Sequence, residues 1–247
     1  MIDIHCHILP MVDDGSQSVE MSLEMLDSAY RHGTTSMILT PHLAYAYGFE
    51  NPTDKIVELF HQFKAIVRYE GIPIDLYLGC EYLFTSRDSY YRHREDITKL
   101  NKTKYLLMEY YFDVEEEVIL DSIDCVLEDG YIPVIAHPER FEAIQVNPNL
   151  PRQIKAKGAL LQMNKGSILG KHGKRAYDTV IDLLDEGLIT FVGSDAHHPI
   201  YRDSKMDEAY DICMDMFDED YIEEIFNINP IKYLEIEERE EEDEEEY

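Results

Sequence analysis

Seven short apolar runs alternate with amphipathic helical stretches along this chain, and that alternation narrows its fold more than any other feature. A strand that returns through a helix pairs parallel with its predecessor, because the crossover brings the chain back to the same end of the sheet. The first run, Ile2-Asp3-Ile4-His5-Cys6-His7-Ile8, alternates apolar and polar side chains with the two-residue period of a strand. Further strands are expected at residues 37–40, 74–78, 104–108, 132–136, 160–163 and 189–193. Between them, Val19, Leu23, Leu26 and Tyr30 make a helical stripe behind Ser16 or Ser18 as a cap, with Gly33 as its stop. Ile56, Phe60, Phe63 and Val67 make a second stripe that ends near Gly71. Helices at 118–127, 176–184, 206–217 and 221–226 complete the alternation. Seven parallel strands predict a distorted, TIM-like (β/α)7 barrel, in which all strand C-termini share one rim and the functional side chains gather there. A doubly wound open sheet shares the same order of elements but concentrates a site at one switch point.

Nine residues able to bind metal fall where these strands end: His5, His7, Asp14, His42, Glu81, Glu109, His137, Asp195 and His197. Only the sixth strand ends without one, at Asn164, a candidate polar lining residue. His5 and His7 share one strand face and can chelate a single ion. Asp3 shares that face at its buried end, where a bracing role suits it better. Adjacent Asp13 and Asp14 leave it open which of them is the ligand. Five imidazoles and four carboxylates without a thiolate suit Mn²⁺, Fe²⁺ or Zn²⁺, and nine ligands exceed the needs of one ion. One division gives a first ion His5, His7, Glu81 and Asp195, a second Glu81 as a bridge with Glu109 and His137, and a third Asp14, His42 and His197. Closely spaced divalent ions acidify a bridging water and clamp phosphoryl oxygens, so hydrolysis of a phosphate monoester is the reaction such a site serves best. His32, His61, His93, His172 and His198 are expected to stand outside it.

Composition excludes several alternatives. The net charge is −29 and no cluster of Lys and Arg follows a phosphate backbone, which argues against a nucleic-acid partner. The start lacks a basic region followed by an apolar stretch, and no apolar run approaches membrane-spanning length, so no membrane insertion and a cytoplasmic location are expected. Four cysteines, Cys6, Cys80, Cys125 and Cys213, form no close pair, as suits free thiols in a reducing compartment. Residues 235–247 hold ten acids and one base, nine of the 29 net negative charges; they read as a solvated, disordered tail beyond a catalytic unit spanning 1–234.

The segments Asp3-Ile4-His5-Cys6-His7, Val12-Asp13-Asp14-Gly15, Thr40-Pro41-His42, Gly79-Cys80-Glu81, Ala136-His137-Pro138-Glu139-Arg140 and Gly193-Ser194-Asp195-Ala196-His197 resemble the polymerase-and-histidinol-phosphatase (PHP) family. Within it, the chain is most similar to the manganese-dependent tyrosine-protein phosphatases of bacterial capsule and exopolysaccharide operons, in order and with similar spacing through about residue 234. The resemblance implies a distorted barrel, a trinuclear site with Mn²⁺ as its expected metal, and as partner and substrate a phosphotyrosine-bearing bacterial tyrosine kinase that controls polysaccharide export. It resolves the Asp13/Asp14 ambiguity toward Asp14 and supports Glu109 as a ligand, where other PHP phosphatases commonly carry a histidine. It also places Arg140 and Arg202 as catalytic residues facing the phosphate, a task that suits the planar guanidinium fork. Two departures stand out. Where some relatives carry a basic loop after His42, this chain has Leu43-Ala44-Tyr45-Ala46-Tyr47-Gly48-Phe49, either a stacking rim for a phosphotyrosine ring or packing at the barrel mouth. The acidic tail is the second.

Three rivals remain to be separated. A cysteine-dependent tyrosine phosphatase fails, because no cysteine has an arginine six positions later. A small-molecule PHP phosphatase such as histidinol-phosphatase shares the metal core, whereas a PHP nuclease conflicts with the low basic content. A non-catalytic scaffold gains little from nine converging ligands.

Overall fold

The computed structural model describes residues 1–237. Its strands are β1 (Ile2–Cys6), β2 (Ser36–Leu39), β3 (His42–Leu43), β4 (Asp75–Leu78), β5 (Glu81–Leu83), β6 (Tyr105–Glu109), β7 (Ile132–Ala136), β8 (Leu160–Asn164) and β9 (Phe191–Gly193). Every pairing between them is parallel, in the orders β1-β2-β4 and β3-β5-β6-β7-β8-β9. Thr40-Pro41 separates β2 from β3, and Gly79-Cys80 separates β4 from β5. Backbone bonds carry across both interruptions, from Gly79 N–H to the Leu39 carbonyl at 2.9 Å and from Glu81 N–H to the Pro41 carbonyl at 3.2 Å. The two groups of strands therefore form one curled parallel sheet. At its ends, Asp195 N–H donates to the His5 carbonyl and His7 N–H to the Ala196 carbonyl, both at 2.8 Å.

Side-chain parity sorts the core. Leu106, Met108 and Ile135 pack outward against the helices, while Tyr105, Leu107, Val134 and Ala136 pack with Ile2, Ile4, Ile38 and Phe191 on the other face. Glu109 continues the parity of Tyr105 and Leu107, so that second cluster lies inside the curl, beneath the residues of interest. Leu234 and Ile236 are buried in it. Glu237 N–H bonds the Tyr77 hydroxyl at 3.1 Å, and the rest of the expected acidic tail lies outside the described residues.

The helix Thr53–Tyr69 buries Ile56, Phe60, Phe63 and Val67, the stripe its sequence predicts. The helix Val19–Arg31 is capped by Ser18, whose side chain accepts from Met21 N–H, but it buries Ser22, Met25, Leu26 and Ala29 and leaves Tyr30 exposed. The Ser22 hydroxyl donates to the Ile8 carbonyl at 2.6 Å, a tie to the segment after β1 that rotates the helix away from the purely apolar stripe. Among the described residues, no helix is long and apolar enough to cross a membrane.

Candidate metal centre

The nine candidate ligands lie toward one end of the curled sheet, and seven of them place donor atoms in shared clusters. His5 and His7 arrive from β1, and the alternation expected there is interrupted by a bulge that sets Ile4 and His5 between the pairs Asp3–Met37 and Cys6–Leu39. Such a bulge re-aims a side chain without ending the strand. His42 and Glu81 open β3 and β5 as register partners, and Glu109 closes β6 opposite Leu83. His137 follows β7 directly and Asp195 comes two residues after β9, and both hold left-handed backbone, with φ of 36° and 52°. For residues other than glycine this conformation costs energy and concentrates at functional sites.

Glu81 is the hub. Its Oε2 lies 3.2 Å from His5 Nε2, His7 Nε2 and His42 Nδ1, and its Oε1 accepts from His137 Nε2 at 2.9 Å. Asp195 Oδ1 stands 3.7 Å from His5 Nε2 and 3.6 Å from His7 Nε2. Asp14 Oδ1 lies 3.5 Å from His42 Nε2 and 3.6 Å from His197 Nε2. Glu109 Oε1 sits 2.9 Å from His42 Nδ1 rather than beside His137, so the grouping differs from the division drawn on sequence. The donor atoms form three overlapping sets: His7, Asp14, His42 and His197; His5, His7 and Glu81; and His42, Glu81 and Glu109. His32, His61, His93, His172 and His198 enter none of them, and neither do His137 and Asp195, which reach the cluster only through Glu81 and through His5, His7 and His197.

These donors fit divalent cations. His42 Nδ1, Glu81 Oε2, Glu109 Oε1, His137 Nδ1 and His197 Nε2 are buried and make no hydrogen bond among the described residues, although several lie within 3.2 Å of one another. Proximity without hydrogen-bond direction leaves their lone pairs unsatisfied, an expensive arrangement for buried polar atoms unless a cation takes them up. The opposite ring nitrogens are tethered: His5 Nδ1 to Gln162 Oε1 and His7 Nδ1 to Asp13 Oδ2, both at 2.8 Å, and His197 Nδ1 to the Asp195 carbonyl at 3.0 Å. Such outer partners fix tautomer and ring orientation at metal sites.

Charge is balanced internally. Burial alone would lower His5 and His42, but Glu81, with Asp195 for the first and Glu109 for the second, raises them to about 9 and about 10. Glu81 and Asp195 resist the upward push of burial and stay well below the usual carboxylate range, held by His5 and His42 around the former and by Arg202 and His5 around the latter. His197 is pushed down to about 4 by burial and by its neighbour His7.

Asp14 lies beside His42 and His197, whereas Asp13 has a part the sequence did not foretell: it accepts from His7 Nδ1, His42 N–H and Gly15 N–H. Asp3, expected as a brace, accepts from the N–H groups of His5 and Ser194. Asn164 Nδ2 donates to Asp195 Oδ2 at 2.7 Å. Gln162 was missed, although it is a polar side chain set between the apolar Leu161 and Met163 inside the strand. Arg202 Nη2 and Arg140 Nη1 reach Asp195 Oδ2 at 2.6 and 3.3 Å. Together with Tyr47, Phe49, Tyr110, Tyr111 and Phe112, they enclose a cavity of about 230 Å³ above the centre.

The family model for capsular polysaccharide synthesis proteins, CpsB/CapC, matches residues 1–235. The chain belongs to the CpsB/CapC family. Among its members, the tyrosine-protein phosphatase YwqE of Bacillus subtilis is 37% identical over 209 residues, covering 85% of this chain and 82% of that protein. The tyrosine-protein phosphatase CpsB of Streptococcus pneumoniae is 31% identical over 239 residues, covering 95% and 98%. A crystal structure from work on YwqE and CpsB, described there as unique metal-dependent tyrosine phosphatases, superposes with a TM-score of 0.80 at 35% identity over 90% of each chain. Beyond the CpsB/CapC family, the lactonase Lmo2620 of Listeria monocytogenes shares the fold alone, with a TM-score of 0.55 at 11% identity over 96% of this chain and 95% of that one.

Proposed function

We propose that this protein is a metal-dependent phosphomonoester hydrolase that removes phosphate from the phosphotyrosine of a bacterial tyrosine kinase governing capsular or exopolysaccharide synthesis, in the cytoplasm. Membership of the CpsB/CapC family and likeness to tyrosine-protein phosphatases over most of the chain support it. The observation that carries it is Glu81, whose two oxygens meet four imidazoles from three strands in a cavity that Arg140 and Arg202 also line. The architecture reads as a distorted (β/α)7 barrel over residues 1–234, if β2 with β3 and β4 with β5 each count as one interrupted strand, followed by an acidic tail. His5, His7, Asp14, His42, Glu81, Glu109, His137, Asp195 and His197 would hold three divalent ions, with Mn²⁺ favoured over Fe²⁺ or Zn²⁺ by the resemblance to manganese-dependent relatives.

Bound divalent ions would supply an activated water and neutralise charge as the ester oxygen leaves. The chain's own part is positioning. Arg140 and Arg202 both rest on one oxygen of Asp195 at the edge of the cavity, so their remaining N–H groups are available to grip the phosphoryl oxygens of a substrate. Asp195 is fixed in turn by Asn164, which keeps its other oxygen toward His5 and His7. No thiol takes part, because all four cysteines are buried.

Purified protein supplied with Mn²⁺ should hydrolyse phosphotyrosine peptides and lose that activity to chelators. Turnover of histidinol phosphate far faster than of a phosphotyrosyl kinase would reassign the substrate and leave the metal chemistry standing.

A further inference from the structure

The aromatic side chains around the cavity divide into two sets. Tyr45 donates to Asp96 at 2.7 Å and stacks on His93, the buried Tyr110 hydroxyl meets Ser122 Oγ at 2.6 Å, and Phe49 lies flat against His42 with ring centroids 5.6 Å apart. Those three are occupied in holding the fold or an imidazole. Tyr47, Tyr111 and Phe112 make no such hydrogen bond or ligand contact: Tyr47 and Tyr111 meet each other, and Phe112 carries Arg140 on one face. They are 57%, 38% and 52% exposed, yet all line the same cavity, and the Tyr47 and Tyr111 rings meet edge to face at 5.7 Å. Large apolar surface left open at a polar pocket marks a place where a ligand covers it.

From this partition we infer that Tyr47, Tyr111 and Phe112 form an aryl slot, which receives the ring of the substrate and makes the site selective for aryl over alkyl phosphate esters. The inference rests on the phosphatase reading and adds the residues that set its specificity. A phosphoryl group held between the arginines and the ligand cluster leaves its ester oxygen pointing outward. A planar ring on that oxygen then packs against the joined Tyr47 and Tyr111 rings and beside Phe112, where edge and face contacts with aromatic side chains favour it. The short alkyl stem of a serine or threonine ester reaches past the acids without filling the slot. Phe112 has a second task. The Arg140 guanidinium lies 4.5 Å above its ring, so Phe112 is also a positioning residue for the phosphate grip.

Two readouts test this. The first is binding of benzylphosphonate and methylphosphonate to the Mn²⁺-loaded full chain by calorimetry; the second is turnover of phenyl phosphate against an alkyl phosphate. Tyr47→Ala should lower the preference for the aryl ligand about tenfold, the size of one aromatic contact. In turnover that loss should fall on KM rather than kcat, since the ring is bound alike in ground and transition states. Tyr47→Phe should restore the preference, because the ring and not the hydroxyl is required. Phe112→Ala should weaken methylphosphonate as well, through Arg140, and Phe112→Tyr should recover it. Equal affinity of the wild type for the two phosphonates, or an aryl preference untouched by Tyr47→Ala, would overturn the slot even if phosphotyrosine is hydrolysed. Preferential benzylphosphonate binding by a protein that hydrolyses no phosphate ester would keep the slot and defeat the phosphatase reading instead.

Discussion

Gln162, in the middle of β8, accepts a hydrogen bond from His5 Nδ1 at 2.8 Å, across 157 positions of sequence. Its amide nitrogen donates to the Met163 carbonyl at 2.6 Å, which fixes the amide so that its oxygen faces the imidazole. His5 must then carry its proton on Nδ1 when neutral, leaving the Nε2 lone pair toward Glu81 and His7. Gln162→Leu keeps the volume and removes the acceptor. Metal affinity, measured by titration of the metal-free protein, should fall about 10- to 100-fold, the usual cost of losing such a partner. Gln162→Glu should retain most of it. An unchanged affinity in Gln162→Leu would show that the tautomer is set by something else.

The adjacent acids Asp13 and Asp14 should behave oppositely on substitution. Asp13 is buried and takes three hydrogen bonds, one from a ligand imidazole. Asp13→Ala leaves those donors unpaired in a dry environment and should cost roughly 3 kcal/mol, a fall in Tm on the order of 10 °C. Asp14 is more than half exposed, and among the described residues its ion-pair partners are His42 and His197. Asp14→Ala should leave Tm of the metal-free protein nearly unchanged and remove phosphatase activity. Thermal melts and turnover of the two variants side by side decide the matter, and an Asp14→Ala melt as damaged as that of Asp13→Ala would refute the contrast.

That pair also marks where the sequence stops being readable. Residue type and position at strand ends were enough to nominate nine candidate ligands, seven of which share donor clusters, because parallel strands deliver their ends to one rim. Residue type cannot tell an acid that meets metal from an acid that orients a histidine, since only the direction of the side chain separates Asp13 from Asp14. Gln162 was overlooked because its partner lies in another strand. Tyr111 and Phe112 come two and three residues after Glu109 and read as loop, and only the curl of the sheet brings them to the same cavity as Tyr47. The bulge at His5 and the rotation of the first helix have the same origin. Each is set by a long-range contact, to Met37 and Leu39 in one case and to the Ile8 carbonyl in the other, and periodicity carries no trace of either.

Thiol reagents should have no effect on turnover. Cys6, Cys80, Cys125 and Cys213 are all buried, and burial pushes Cys80 and Cys213 up to about 12 and Cys6 well above the usual thiol range. Thiolate is the reactive form, so these groups are poor nucleophiles. Cys6 stands between two candidate ligands, but its Sγ–H donates to the Ile38 carbonyl at 3.4 Å rather than toward the centre. Iodoacetamide treatment of the native protein, followed by mass spectrometry and a rate assay, should show little modification and full activity. Rapid inactivation tracking with alkylation of any one cysteine would reopen a thiolate mechanism.

The metal-free protein should lose stability as pH rises, and metal should abolish that loss. His5 and His42 are raised to about 9 and about 10 by the carboxylates around them. Both values lie above the roughly 6.5 of an unfolded histidine. The folded chain therefore binds protons that the unfolded chain has released between those limits, and the stabilisation is complete below about pH 6.5 and gone once pH passes through 9 to 10. What disappears is the attraction between imidazolium and Glu81, which leaves a buried carboxylate among neutral rings. Divalent ions take over the same positive role but require neutral imidazoles, so their binding releases protons and strengthens with pH. Melts of chelator-treated protein should show Tm falling between pH 6.5 and 9.5. Melts with saturating Mn²⁺ should show the gap between metal-bound and metal-free Tm widening over the same interval. A metal-free Tm that stays level or climbs toward pH 9.5 would mean that these histidines are not protonated in the folded protein, and the charge balance assigned to Glu81 would have to be abandoned.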